Sequence, residues 1–256
     1  MTTAAPFCSP AAGESSVDAH PGPVDASMIV LRRTLLQLSQ AECDKVFARL
    51  MQMQLASPSK KIRLGSICTG SGAGEVGVKL ILDTLKCLVS TPASVELETV
   101  FGCEYDSAKV AWLWHNFSMQ PVFANAACMG FSKAMCQVSH QPVAIPDCDV
   151  LSAGFSCKDL SSLSTKRSER FQSILTELET CLTASEGDII KALEDPKGSS
   201  TALTLGGVLR YIERHRPLCV ILENVKDGFA RIMEPVQKKL QQFGYVSCWE
   251  ALGSLI

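Results

Sequence analysis

A lone cysteine closing one apolar run and a carboxylate closing another are the residues of this chain whose types and spacing best suit chemistry. Asp149-Val150-Leu151-Ser152-Ala153-Gly154-Phe155-Ser156-Cys157 runs into a glycine and delivers a thiol to a loop tip; Leu218 to Leu222 runs into Glu223-Asn224-Val225. Short apolar runs of this kind read as buried parallel strands, and open α/β sheets bind ligands beyond the carboxyl ends of their strands. A thiol there can add to an electron-poor ring while an acid protonates or hydrogen-bonds a ring nitrogen. Taken alone, Cys157 reads as a core thiol, because unpaired cysteine is among the most buried residue types. Its place after Gly154 and beside Lys158 argues for the nucleophile, since a nearby cation lowers a thiol pKa. Glu223 alone would read as a cap or a surface acid; at a strand end it reads as part of a site.

The second candidate site is Cys68-Thr69-Gly70-Ser71-Gly72-Ala73-Gly74. It joins the apolar run from Ile62 to a helical pattern that continues to Leu88, which is the strand, glycine loop, helix order. Gly72, Gly74 and Gly77 form a formal G-x-G-x-x-G, which fits a dinucleotide such as NAD with its pyrophosphate at the helix N-terminus. The same geometry lets a backbone approach S-adenosylmethionine, and the bland reading is a tight turn. Glu104 follows the next apolar run, Val95 to Cys103, where an acid can accept from the ribose hydroxyls of either cofactor.

These sites need a scaffold. A helix at Ala108 to Phe117, a short third strand near Pro121 to Ala124, the Cys157 strand as fourth and the Glu223 strand as fifth alternate in the manner of an α/β fold. Parallel neighbours require crossover connections, so the expectation is a doubly wound, mostly parallel sheet. Ser161 to Ser200 is polar, carries the breaker Asp195-Pro196-Lys197-Gly198 and is too long for a minimal connection. It reads as a mobile active-site loop with an insertion, about 162–200, helical around Ile174 to Leu182. Helices at Leu203 to His215 and Glu234 to Gln242 and a sixth strand at Tyr245 to Ala251 complete the pattern. Residues 1–27 read as a disordered leader and 28–60 as an amphipathic helical extension packed on the main domain, 61–256.

Composition excludes several classes. The 256 residues are 46% hydrophobic with net charge -2, enough for one substantial core and without the strongly basic balance of a dedicated nucleic-acid binder. No apolar run approaches the ~20 residues that cross a bilayer, and no secretory signal opens the chain, so an intracellular location without a membrane is expected. The 12 cysteines are scattered through apolar segments, none in C-x-x-C spacing, and the 4 histidines are not grouped with them, which argues against disulfides and a structural zinc.

Gly154-Phe155-Ser156-Cys157-Lys158-Asp159-Leu160-Ser161 resembles the G-F-P-C-Q-x-x-S block of cytosine-5 DNA methyltransferases, and Glu223-Asn224-Val225 their E-N-V block. Cys68-Thr69-Gly70-Ser71-Gly72 stands where that family has F-x-G-x-G, and Cys103-Glu104-Tyr105-Asp106 resembles its N-E-x-D segment. The order agrees, over roughly residues 62–250. The resemblance implies a Rossmann-like methyltransferase fold with S-adenosylmethionine as cofactor, held by Cys68, Thr69, Gly70, Ser71, Gly72, Glu104, Tyr105, Asn125 and Gly154. It implies that Cys157 attacks C6 of cytosine, that Glu223 hydrogen-bonds N3 and the exocyclic amine, and that Asn224 fixes the Glu223 loop. DNA is the implied substrate, with its target base flipped out of the duplex; the alternatives are RNA, since relatives modify transfer RNA, or a non-catalytic cofactor-binding module. A nuclear location follows if the source is eukaryotic, a cytoplasmic one otherwise.

There are departures from the family pattern. Ser156 replaces the usual proline and Lys158 the glutamine, and the family's adenine-binding aspartate after the third strand is missing from Asn125-Ala126-Ala127, where Asn125 is the substitute. The chain stops before the Q-x-R-x-R block and the target-recognition region, so the expectation is an N-terminal catalytic half whose sheet is incomplete at the C-terminus, with a complementing chain or partner protein supplying the missing recognition elements.

Overall fold

The computed structural model describes residues 39–89, 94–156, 158–159, 167–194, 200–224 and 226–247. Helix α1 (Gln40–Ala56) is started by a capping box in which Ser39 accepts from the Glu42 amide and Glu42 accepts from the Ser39 amide. Strand β1 (Ile62–Ile67) then leads through the glycine loop into α2 (Ala73–Leu88). Next come β2 (Leu97–Cys103), α3 (Ser107–Phe117), β3 (Val122–Phe123) and a 3-10 turn at Ala126–Gly130. A small antiparallel pair, β4 (Lys133–Met135) and β5 (Pro142–Ala144), precedes β6 (Val150–Gly154). After it follow α4 (Arg167–Thr183), α5 (Glu186–Glu194), α6 (Ser200–His215), β7 (Cys219–Glu223) and α7 (Lys226–Gln242).

The main sheet has five parallel strands in the order β3-β2-β1-β6-β7. The order reverses at β1, so the crevice above β1 and β6 is the topological switch point where such sheets bind ligands. This is the doubly wound α/β architecture expected from the sequence, consistent with a Rossmann-like methyltransferase fold. Alternate residues of β1 serve opposite faces. Ile62 and Leu64 pack with Phe47, Leu82, Leu85 and Val150 under α1 and α2, while Ile67 packs with Phe101, Leu151, Tyr211 and Ile212 on the α6 side. Arg63 ties β1 to the start of β6: its guanidinium donates to both Asp149 oxygens at 2.8 and 3.2 Å, and its amide donates at 2.8 Å. The Asp149 carboxylate holds the Arg63 pKa above its ordinary value.

Three expectations change. The polar stretch read as a mobile loop with a helix around Ile174 to Leu182 has that helix, longer, as α4, and over the rest of 167–194 it forms a second helix, α5, in place of a loop. Ile174, Leu178 and Cys181 recur at helical spacing and are buried, the first two in the core shared with α6, so a narrow apolar stripe was enough to dock a mostly polar segment. The expected strand from Tyr245 is not a strand over Tyr245–Ser247. There α7 ends on Gly244 (φ 88), the Tyr245 amide donates back to the Leu240 carbonyl, and the Tyr245 hydroxyl donates to the Pro217 carbonyl at 2.6 Å. This is a glycine helix stop rather than a strand entry; residues 248–251 of that expectation, like the leader 1–27 and residues 28–38 of the extension, lie outside the described residues. Helix α7 also begins earlier than Glu234, despite Pro235 within it.

Candidate active site

At the carboxyl end of β1 the chain enters a loop with left-handed backbone at Cys68 (φ 57), Gly70 (φ 62) and Gly72 (φ 89). Such a loop persists only when its surroundings hold it, and here the β2–α3 unit does so. Thr69 is buried and fastened to the end of β2: its amide and hydroxyl donate to the Cys103 carbonyl at 3.0 and 3.2 Å, and its hydroxyl accepts from the Cys103 amide at 3.1 Å. Glu104, 5% exposed, accepts from the Gly70 amide at 2.9 Å with one oxygen and from the Asp106 amide at 3.0 Å with the other. Asp106 in turn caps α3 by accepting from Ala108 and Lys109.

The remaining loop residues differ in what they offer. A Cβ on Gly70 would project into open space, whereas one on Gly72 would lie 2.5 Å from the Phe117 ring. Ser71 is exposed and gives its carbonyl to the Trp112 indole at 3.1 Å. Burial pushes the Cys68 thiol up to about 12, with Glu104 adding to the effect, so this thiol stays protonated near neutrality. Tyr105 is 74% exposed. Asn125 caps the 3-10 turn by accepting from the Ala127 amide at 2.9 Å, an engagement that places its side chain in local structure.

The second half of the site lies at the ends of β6 and β7. Their register pairs Gly154 with Glu223, the last residue of β7 rather than the first residue beyond it. A Cβ on Gly154 would sit 3.2 Å from Glu223 Oε2, so the bare glycine leaves the carboxylate room at the end of β6. Asn224 donates from its amide to the Phe155 carbonyl at 2.7 Å, joining the segment after β7 to the one after β6. Cys157 itself lies outside the described residues.

The residues flanking it are held by the start of α6, a feature the sequence analysis missed. The Ser156 amide donates to Thr204 Oγ1 at 3.1 Å, and the Ser156 carbonyl accepts from Thr201 Oγ1 at 2.8 Å. Ser156 and Ser200 share a hydroxyl bond of 3.0 Å. Buried Asp159 accepts from the Thr201 amide at 3.2 Å, as a carboxylate does at a helix N-terminus. The only available signal was the cluster Ser200-Thr201 and Thr204 at the beginning of a helical pattern.

Among the described residues no group of three His, Cys, Asp or Glu side chains could hold a metal ion, and no helix is long and apolar enough to cross a membrane. No family model matches the chain. Over 187 residues, 73% of the chain, it is 26% identical to DNA (cytosine-5-)-methyltransferase DMT5 of Cryptococcus neoformans var. grubii. The chain is similar to a DNA cytosine-5-methyltransferase. The matched region spans 6% of that protein's length.

Proposed function

We propose that this chain transfers a methyl group from S-adenosylmethionine to C5 of cytosine in DNA, with Cys157 as nucleophile. The observation that carries the reading is the Gly154–Glu223 register: the carboxylate stands at the strand end that leads to the cysteine, and Asn224 binds the two connecting segments together. The residues of the glycine loop fit the cofactor. Gly70 leaves open space, the amides opening α2 have no side-chain cap, and each Glu104 oxygen keeps a second lone pair for a ribose hydroxyl after accepting its backbone N–H. Bound there, the cofactor supplies a methyl group on a positively charged sulfur.

Cys157 adds to C6 of the cytosine while Glu223 hydrogen-bonds N3 and the exocyclic amine. The ring gains nucleophilic character at C5, which takes the methyl group as its bond to the sulfonium sulfur breaks and leaves a neutral thioether; transfer of the C5 proton to water and breakage of the C6–S bond release the thiolate and restore the ring. Ser156, clamped by Thr201 and Thr204, and Phe155, clamped by Asn224, set where the thiol starts from. Misplacement of a reacting group by about 1 Å can cost on the order of a hundredfold in rate.

Mechanism-based trapping tests this. The chain is incubated with S-adenosylmethionine and 5-fluorocytosine-containing DNA, since fluorine at C5 blocks the elimination step. A denaturation-resistant adduct that is lost in Cys157→Ala is the expected result. An adduct on RNA alone would transfer the reading to an RNA substrate. Folded chain that binds S-adenosylhomocysteine and gives no adduct would favour a non-catalytic cofactor-binding module.

A further inference from the structure

We infer that Trp112 is a positioning residue for the cofactor loop, through the indole N–H that it donates to the Ser71 carbonyl. This rests on the reading of the glycine loop as a cofactor site. The loop alternates left-handed residues at 68, 70 and 72, and one of them, Cys68, is not glycine, so the loop has no intrinsic preference for its shape. Each of its central residues is held by the β2–α3 unit: Gly70 by Glu104, Ser71 by Trp112, Gly72 by contact with Phe117.

The three tethers differ in kind. Glu104 is buried and Phe117 packs against the small core of Val110, Leu113, Met119 and Val122, so altering either disturbs the fold. Trp112 is 54% exposed and lies outside every described core cluster, so its contact with Ser71 is separable from folding. Its single N–H orients the peptide group between Ser71 and Gly72, immediately before the uncapped amides that open α2. Freeing that peptide lets the loop leave the shape that presents Gly70 and those amides to a ligand. Loss of one neutral hydrogen bond of this class weakens binding about fivefold.

The test uses the full chain and two ligand-independent readouts beside affinity. Trp112→Phe keeps an aromatic ring and removes the donor. The expected results are an unchanged melting temperature, faster amide hydrogen exchange at residues 70–75 without ligand, and about fivefold weaker binding of S-adenosylhomocysteine by calorimetry. In a Trp114→Phe, Trp249→Phe background, the remaining indole emission shifts when S-adenosylhomocysteine binds. Wild-type binding with an unaltered affinity and exchange pattern in Trp112→Phe overturns the inference while leaving the cofactor site standing. Absence of wild-type binding removes the cofactor reading and this inference with it.

Discussion

The two halves of the site are built to different tolerances. The glycine-loop half is closed: Thr69 and Glu104 are buried, and bonds from β2 and α3 fix the backbone at successive residues. The cysteine half is open. Strand β7 pairs with β6 alone among the described residues, and Ile221 and Glu223 are exposed on it, as is Leu218 just before it. The first half is organised before any ligand arrives, as preorganised binding requires. The second presents an acid and an anchored loop at a strand that is paired on one side among the described residues.

The junction between the halves is where the comparison breaks most easily. Gly207 of α6 packs directly on the backbone of Ala126 and Ala127, and a Cβ there would collide with the Ala126 carbonyl. Gly207→Ala is therefore expected to destabilise the chain by about 3 kcal/mol or more, as overpacking against backbone does; chemical denaturation measures it, and a loss under 1 kcal/mol would mean that the two halves are not rigidly joined. Gly72→Ala strikes the closed half alone. Left-handed backbone costs a side chain roughly 1–2 kcal/mol, and the Phe117 ring must also shift. Loss of S-adenosylhomocysteine affinity by tenfold or more is expected, with trapping by Cys157 reduced only through the cofactor.

A subtler cost lies beneath the same loop. Glu75, in the first turn of α2, is 3% exposed and neither carboxyl oxygen has a hydrogen-bond partner. Burial holds its pKa above the ordinary carboxylate value, opposed in part by its own amide and the nearby Ser66 hydroxyl, neither within hydrogen-bonding geometry. A carboxyl whose pKa is raised on folding binds its proton more tightly in the native state, so it lowers stability as pH climbs from the unfolded value through the folded one. Glu75→Gln should accordingly stabilise the chain by on the order of 1 kcal/mol at pH 8, with the gain vanishing near pH 4. Equal gains at both pH values would contradict this. Smallest in stability is Glu223→Gln. Its exposed side chain predicts a change within about 0.5 kcal/mol, while adduct formation with 5-fluorocytosine DNA should fall steeply; matched losses of both would make Glu223 a structural residue of the β7 edge.

Much of this was legible before any coordinates. The apolar runs ending at Ile67, Cys103 and Gly154 are buried or half-buried strands, and such runs announce themselves because both faces of a parallel strand are covered; the run ending at Glu223 is also a strand, with alternate residues exposed. Gly70 and Gly72 were legible because left-handed backbone at a strand-to-helix turn selects glycine. Helix α4 was legible only around Ile174 to Leu182, and α5 was obscured by its charges, since Ile189 is the buried residue that docks it. Gly244 was passed over because a helix stop and a strand entry share the same sequence signals until the partner carbonyl is known.

By itself the sequence determined the parallel α/β order, the two strand ends that carry Cys157 and Glu223, and the glycine loop, because hydrophobic periodicity and backbone sterics are local properties. Only the tertiary structure decided that Gly154 faces Glu223 across the β6–β7 register, that Thr201 and Thr204 hold Ser156, and that Trp112 reaches Ser71. Those contacts join residues 41 to 69 positions apart. No local preference specifies such a pairing; it exists only once the sheet order and the helix crossings have brought the strand ends together.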